Sequence, residues 1–296
     1  MHDLKRQLSN GTKLANFFRG FLKFRLAERV LAKLTYGKGR RTTVWKLVPP
    51  EYLYNQPKIH RVLRDGVVFD LDLSNYNDFY VFYGLPEPRL EYLLSFVRPD
   101  FVVVDIGANM GYTALNIARR CPVGFVYGYE PDKLNFEKLT RNVELNHFGN
   151  IKVNRKALGN AAGELELVML NKHHTGMNRL LSPRVKGTPL DKVQVVRLDD
   201  EATQWEGRKI DLIKIDVEGY EWNVLQGAIE TIQKWKPILF IELIEQNLQL
   251  YGHSSAMVVT WLKETGYRMI DTNTKAPFAE RSPEPVDTDI LCFPVS

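Results

Sequence analysis

The chain has 296 residues, 44% hydrophobic and 25% charged, which are ordinary globular values and far from those of a disordered chain. Its length holds one large α/β domain or two small ones, and a mean hydropathy of −0.26 without any apolar run near ~18 residues excludes a membrane-spanning helix. The net charge of +5 is unevenly spread: residues 1–46 carry twelve Lys/Arg against Asp3 and Glu28, whereas the other 250 residues hold 28 basic and 33 acidic groups. A basic groove across the whole body, as a nucleic-acid enzyme would need, is therefore not expected. Two cysteines, Cys121 and Cys292, are too few for a disulfide scaffold or a Cys-based zinc site and point to a reducing compartment. The first residues have no compact apolar segment with a cleavage site, so no secretory leader is expected and a cytoplasmic location follows.

The basic arm over residues 1–50 reads as helix, but its apolar face shifts. Leu14, Phe17, Phe18, Phe21 and Leu22 share one side; beyond Leu26 the set Ala27, Val30, Leu31 and Leu34 points the other way. Either two short helices meet near Phe24, or one helix is touched on two sides. The arm is expected to pack on the body or on a second subunit, or to lie on an anionic membrane surface as a basic amphipathic element, with nucleic acid the least favoured reading.

Residues 51–296 read as the main domain, led in by residues 51–99. Residues 44–73 look extended, with a hairpin across Asp65-Gly66. An aromatic run, Tyr76 to Tyr83, leads through Leu85-Pro-Glu-Pro-Arg to a helix over about 88–97. From residue 100, apolar β-branched runs alternate with helical periodicity. Strands are expected at 101–106, 125–129, 151–156, 193–198, 210–216, 238–243, 267–271 and 290–293, with a hairpin across Gly163 covering 165–170. Helices are expected at 111–120, 133–146, 220–234 and 255–264. Such alternation specifies an α/β fold with a parallel, doubly wound sheet, whose ligands sit beyond the carboxyl ends of the strands.

Three motifs stand at such ends. Val-Val-Val-Asp105-Ile-Gly107-Ala-Asn109-Met-Gly111 places a carboxylate beside a glycine turn. A dinucleotide fold would want glycine where Asn109 stands, and Asp105 would repel a pyrophosphate; an amine-bearing ligand with hydroxyls suits this turn instead. Tyr127-Gly-Tyr-Glu130-Pro131 puts an acid where it can accept both hydroxyls of a ribose. Together these motifs indicate adenosine without a pyrophosphate. The third, Ile-Asp216-Val-Glu218-Gly219-Tyr-Glu221, carries two carboxylates out of a buried strand, which requires partners or work for them. Two-carboxylate metal coordination lacks a convincing third ligand, so no metal is assigned.

The run Val-Asp-Ile-Gly-Ala-Asn-Met-Gly-Tyr, with Tyr-Glu-Pro, Ala157-Leu-Gly, Arg197-Leu-Asp-Asp and Ile-Asp-Val-Glu-Gly-Tyr-Glu, resembles the FkbM family of S-adenosylmethionine-dependent methyltransferases over about residues 65–293. The resemblance implies a class I methyltransferase (Rossmann-like) fold: a doubly wound seven-stranded sheet with its last strand antiparallel. It also implies S-adenosyl-L-methionine as cofactor and methyl transfer to a hydroxyl of a sugar, glycan or polyketide-type product. By the same resemblance, the turn Asp105, Gly107, Asn109, Gly111 cradles the methionine part, Glu130 takes the ribose, and backbone near Ala157 and Leu158 flanks the adenine. Asp216 and Glu218 stand at the transfer end. Arg179 replaces a small hydroxyl residue in the family's pattern; if its loop meets substrate, an acceptor with a negative charge is implied.

An alcohol attacks readily only once its proton leaves, and a positioned base supplies about 10²–10⁴-fold. Glu218 is the first candidate base, Asp216 the second and His253 the third, with Glu242 ordering the same site. The partner expected is a small-molecule or glycan acceptor, with no nucleic acid; membrane or homo-oligomer contact is assigned only to residues 1–46. An NAD-dependent oxidoreductase is disfavoured by Asp105 and Asn109, and an RNA or other nucleic-acid methyltransferase by the acidic body and the absence of an Asn-Pro-Pro-Tyr-type strand end.

Overall fold

The computed structural model describes residues 9–205, 207–278 and 287–295. It divides into two units, one running to Glu87 with Asn171–Gly176 added, the other comprising Pro88–Leu170 and the chain from Met177 onward. The hairpin and the aromatic run thus group with the basic arm, and the beginning of that arm, with Asp3, Lys5 and Arg6, lies outside the described residues.

In the first unit the arm forms two helices, α1 (Asn10–Gly20) and α2 (Arg25–Thr35). Ser9 caps α1 by accepting from the Thr12 amide at 3.2 Å. Two 3₁₀ turns, Val44–Leu47 and Glu51–Leu53, stand where extended chain was expected from residue 44. Pro49-Pro50 between them lacks the amides a strand ladder needs. Pairing is confined to β1 (Ile59–Arg64) and β2 (Val67–Asp72), antiparallel across Asp65 and Gly66, both at positive φ (51° and 81°). The aromatic run is a helix, α3 (Tyr76–Phe82), capped by the Asn75 side chain and burying Phe79, Val81 and Phe82. Glu28 of α2 is fully buried and ties that helix to the hairpin: it accepts from Tyr54 Oη at 2.9 Å and Lys58 Nζ at 2.7 Å, and shares a bond with His60 Nε2 at 2.9 Å.

The second unit opens with α4 (Pro88–Leu94), followed by β3 (Val102–Ile106), α5 (Tyr112–Arg120), β4 (Phe125–Tyr129), α6 (Lys133–Asn146) and β5 (Ile151–Asn154). Next come β6 (Ala157–Leu158), β7 (Gly163–Met169), β8 (Arg179–Leu180), β9 (Thr188–Val196) and β10 (Leu212–Ile215). The chain then forms α7 (Glu221–Gln226), α8 (Ile229–Trp235), β11 (Ile238–Ile244), α9 (Glu245–Gln249), α10 (Ser255–Glu264), β12 (Tyr267–Asp271) and β13 (Asp287–Pro294). The main sheet has seven strands in the order β12-β13-β11-β10-β3-β4-β5, and β13 alone runs antiparallel to its neighbours. This is the class I methyltransferase architecture. Strand order reverses between β3 and β10, so the ends of these two strands frame the expected ligand crevice.

The sheet is buried on both faces, which is why its strands read as continuous apolar runs. Val102, Val104 and Ile106 enter one core with Tyr129, Ile213, Ile215 and Ile241; Val103 enters the other with Val126, Leu212, Phe240 and Leu291.

Two expectations require correction. The hairpin across Gly163 does not form: β7 pairs antiparallel with β9, and β6 pairs parallel with β9, in a separate four-stranded sheet ordered β6-β9-β7-β8. The strand expected at 193–198 belongs to that sheet because Val193 and Val195 pack with Ala157, Leu167 and Leu180. The helix expected over 220–234 is broken at Gly227, where an added Cβ would lie 1.9 Å from the Gly159 carbonyl oxygen.

Glu28 supplies the test of the first unit. Burial pushes its carboxyl up, but the bonds from His60, Lys58 and Tyr54 outweigh burial and hold it below the ordinary range. Such a group stabilises the fold above the unfolded-state pKa near ~4.5, and that stability is lost as pH falls through the lowered value. Glu28→Ala takes the carboxylate from Lys58 and His60, leaving Lys58 the Lys23 carbonyl, and is expected to cost roughly 3–5 kcal/mol in urea unfolding at pH 7. A loss below about 1 kcal/mol would show that the contact contributes little.

Candidate active site

The parallel register sets Lys214 of β10 directly opposite Asp105 of β3. Both side chains are buried, and Lys214 Nζ stands 3.2 Å from Asp105 Oδ1 and 3.3 Å from Asp216 Oδ2, while donating to the Gly107 carbonyl at 3.0 Å. Burial alone would pull the ammonium down, but Asp105 and Asp216 raise it, so Lys214 stays charged; burial pushes Asp105 up. The cation that Asp105 was expected to seek in a ligand is therefore the chain's own. Lys214 escaped the sequence reading, although a lysine inside Leu-Ile-Lys-Ile, a fully buried strand, was the available signal.

The turn after β3 is built by this lysine and by β4. Gly107 and Ala108 amides both donate to Tyr129 O at 3.0 Å, and Asn142 of α6 holds the Met110 carbonyl at 2.9 Å. Gly107, Asn109 and Gly111 have φ of 79°, 50° and 94°. A Cβ on Gly107 would lie 1.8 Å from the Asp216 carbonyl oxygen, so this glycine serves the approach of the β3 and β10 ends to one another. Glu130, at the end of β4, accepts from the Asn109 amide (2.8 Å) through Oε2 and from the Asp132 amide (2.9 Å) through Oε1. Burial pushes its carboxyl up to about 7 against these bonds. Asp132 caps α6 and also accepts from Asn178. Ala157 and Leu158 are buried in β6, an edge strand of the four-stranded sheet.

Beyond β10, Asp216, Glu218 and Glu242 each bring a carboxylate oxygen within 4.8 Å of the others. Glu242 of β11 is thus a third carboxylate where the sequence reading found no third ligand. Lys214 sits on Asp216, and Arg179 Nη2 donates to Glu218 Oε2 at 3.0 Å, so two of the three acids are balanced by the chain's own cations. Arg179 is buried and also donates to Asn247 Oδ1 at 2.9 Å; its charge is met internally and does not call for an anionic acceptor. Asn247 Nδ2 donates to the same Glu218 oxygen at 3.1 Å. Glu218 adopts φ of 58°, uncommon for a residue with a side chain, and the following Gly219 lies against the Asn247 carbonyl. Glu221 fixes this loop by accepting from the Gly219 and Val217 amides at 2.9 and 3.2 Å. Burial, with Asp216 adding to it, pushes Glu218 up to about 6; burial and the neighbouring acids raise Glu242 well above the usual carboxylate range. His253 stands outside the carboxylate trio and shares its Nε2 with Asn223 Oδ1 at 3.1 Å.

Removing the lysine isolates this assembly from its counter-charge. Lys214→Met is expected to cost roughly 3–5 kcal/mol, because Asp105 is left buried without a cation. Asp105→Asn with Lys214→Met should recover part of that loss in chemical denaturation; equal loss in single and double variants would sink the coupling.

Among known proteins, the chain is 26% identical over 145 residues to Methyltransferase 1 of Beauveria bassiana, covering 43% of this chain and 58% of that one. It is 25% identical over 165 residues to the 2-O-methyltransferase NoeI of Sinorhizobium fredii, covering 51% and 66%. With the hexuronic acid methyltransferase AglP of Haloferax volcanii it shares 25% over 141 residues, covering 48% and 55%. The chain thus spans between about half and two thirds of the length of these relatives. The family model described as the methyltransferase FkbM domain matches residues 105–269, more than half of the sequence. The match takes in the glycine turn and the acidic strand ends described above, and it covers more than half of the chain: the chain belongs to the FkbM methyltransferase family.

Proposed function

We propose that the protein is an S-adenosyl-L-methionine-dependent O-methyltransferase acting on a hydroxyl of a sugar, glycan or natural product. The observation that carries the reading is Glu218: Arg179 and Asn247 fix its Oε2, while among the described residues no hydrogen bond occupies Oε1, and the side chain is 20% exposed. A carboxylate anchored by one oxygen and open at the other is suited to accept a proton from an alcohol. The names of the relatives NoeI and AglP, a 2-O-methyltransferase and a hexuronic acid methyltransferase, support a sugar hydroxyl as the acceptor class.

The residues present fit the cofactor. The turn of Gly107, Asn109 and Gly111, which the buried Asp105 supports through Lys214 and the Gly107 carbonyl, would hold the methionine part, and Glu130, whose oxygens keep a lone pair each beyond their amide bonds, would accept ribose hydroxyls. β6 is an edge strand, so one side of the Ala157–Leu158 backbone is not committed to strand pairing, and there it would flank an adenine. When bound, the sulfonium supplies an already activated methyl group. The chain's own work is alignment, for which positioning contributes roughly 7–11 kcal/mol, and removal of the hydroxyl proton. In that step the acceptor O–H bond would break and its proton pass to Glu218 Oε1, while the acceptor oxygen bonds to the methyl carbon as the carbon–sulfur bond breaks and its electron pair leaves on sulfur as a neutral thioether. Asp216, bound to Lys214, and Glu242 order the same edge.

Incubation with isotopically labelled cofactor and a panel of glycans and polyketide-type alcohols, read by product mass, tests the reading; label found on nitrogen or on RNA would replace it. Glu218→Gln should retain cofactor affinity and lose roughly tenfold or more in kcat. Because the basic form of Glu218 exists above about 6, kcat of the parent enzyme should climb between pH 5 and 7 and then level, a step absent from Glu218→Gln. Glu130→Ala should weaken cofactor binding in calorimetry by roughly an order of magnitude; unchanged affinity would overturn the ribose assignment.

A further inference from the structure

Helix α1 is turned the wrong way for a helix in water. Its buried side is polar: Asn16 donates to Tyr52 Oη at 3.1 Å, and Arg19 donates to the Lys46 carbonyl at 2.7 Å and to Asn16 Oδ1 at 3.0 Å. Its solvent side carries Leu14, Phe17, Phe18 and Phe21, each 60–66% exposed, with Phe17 in edge contact with both other rings. α2 repeats the feature. Glu28, Leu31, Ala32 and Thr35 face inward, while Leu26, Val30 and Leu34 form an exposed stripe beside a second stripe of Arg25, Arg29 and Lys33. Contiguous exposed apolar side chains on this scale mark a surface that meets something other than water.

The charge around these stripes decides what that something is. Residues 9–46 contain ten Lys/Arg and one acid, Glu28, which is buried on Lys58 and His60. None of the ten is ion-paired to a carboxylate among the described residues. A second copy laid on this face would set like charge against like charge at close range. An anionic bilayer meets both features at once: rings and leucines enter the headgroup boundary while the cations remain at the level of the phosphates. A basic pocket in the same unit supplies a headgroup seat. It is an open depression of about 550 Å³ lined by Arg29, Lys33, Tyr36 and Phe82, with Arg61, which also pairs with Asp70, and Arg64, which also donates to the Val81 and Phe82 carbonyls. No described helix is long and apolar enough to cross a membrane, so the contact lies on the surface.

We propose that α1 and α2 form a peripheral docking surface for an anionic lipid bilayer, with Leu14, Phe17, Phe18 and Phe21 inserting and the Arg29–Lys33–Arg61–Arg64 pocket taking a lipid phosphate. The test uses the full chain in co-sedimentation with vesicles of phosphatidylcholine alone or with phosphatidylglycerol at 30 mol%. The anionic vesicles should bind at least tenfold more protein, and 0.5 M salt should reverse most of that gain. Phe17→Ser with Phe18→Ser and Phe21→Ser, all at exposed positions, should reduce binding at least tenfold with an unchanged melting temperature. Arg29→Glu with Lys33→Glu should do the same and abolish the preference for phosphatidylglycerol. Equal binding to both vesicle types, or none to either, overturns the proposal. So does a concentration-dependent dimer in light scattering that the serine variant dissolves, since the face would then belong to a second copy. None of these readouts depends on methyl transfer.

Discussion

The candidate site depends on one buried ammonium. Lys214 meets two carboxylates from adjacent parallel strands and a backbone carbonyl from the turn between them. Two acids at the carboxyl ends of β3 and β10 would otherwise repel each other in a medium that screens them poorly. With the lysine between them, the strand ends can approach until the Asp216 carbonyl occupies the space where a Gly107 side chain would stand. The glycine turn, the strand order and the carboxylate edge are therefore parts of one arrangement. A buried charge cluster of this kind adds little net stability relative to an apolar core, so its persistence is better explained by the geometry it enforces.

The same economy of internal partners governs the carboxylate edge. Glu218 is held in left-handed backbone by Gly219 and by amides bound to Glu221, and its side chain is clamped by Arg179 and Asn247. Local strain of this sort persists only where surrounding contacts over-determine it, and it concentrates at sites that position a reacting group. Arg179 changes meaning once seen in place. In the sequence it suggested an anionic substrate; in the fold it neutralises and orients an acid 39 positions later in the chain.

Much of the architecture was legible because parallel sheets buried on both faces write themselves as apolar, β-branched runs separated by helical periodicity. The acids at the ends of β3, β4 and β10 were legible for the same reason: each stands where an apolar run ends, at the carboxyl end of a parallel strand. The pairing of β7 with β9 was not, since an alternating strand identifies its faces and leaves its neighbour unspecified. Nor was the break at Gly227, which arises from the approach of Gly159 across the fold.

By itself the sequence determined the strand and helix order, the family motifs and the excess of positive charge in the arm, because each is encoded by neighbours a few residues apart. Only the tertiary structure decided where those charges find partners. It gave Asp105 a lysine 109 residues away, joined Glu242 to Asp216 and Glu218, and left the ten cations of residues 9–46 without an acidic partner among the described residues. It also turned the phenylalanines of α1 outward, which periodicity alone cannot specify: a helical stripe is visible in sequence, but whether it faces core or solvent depends on what the rest of the chain brings against it.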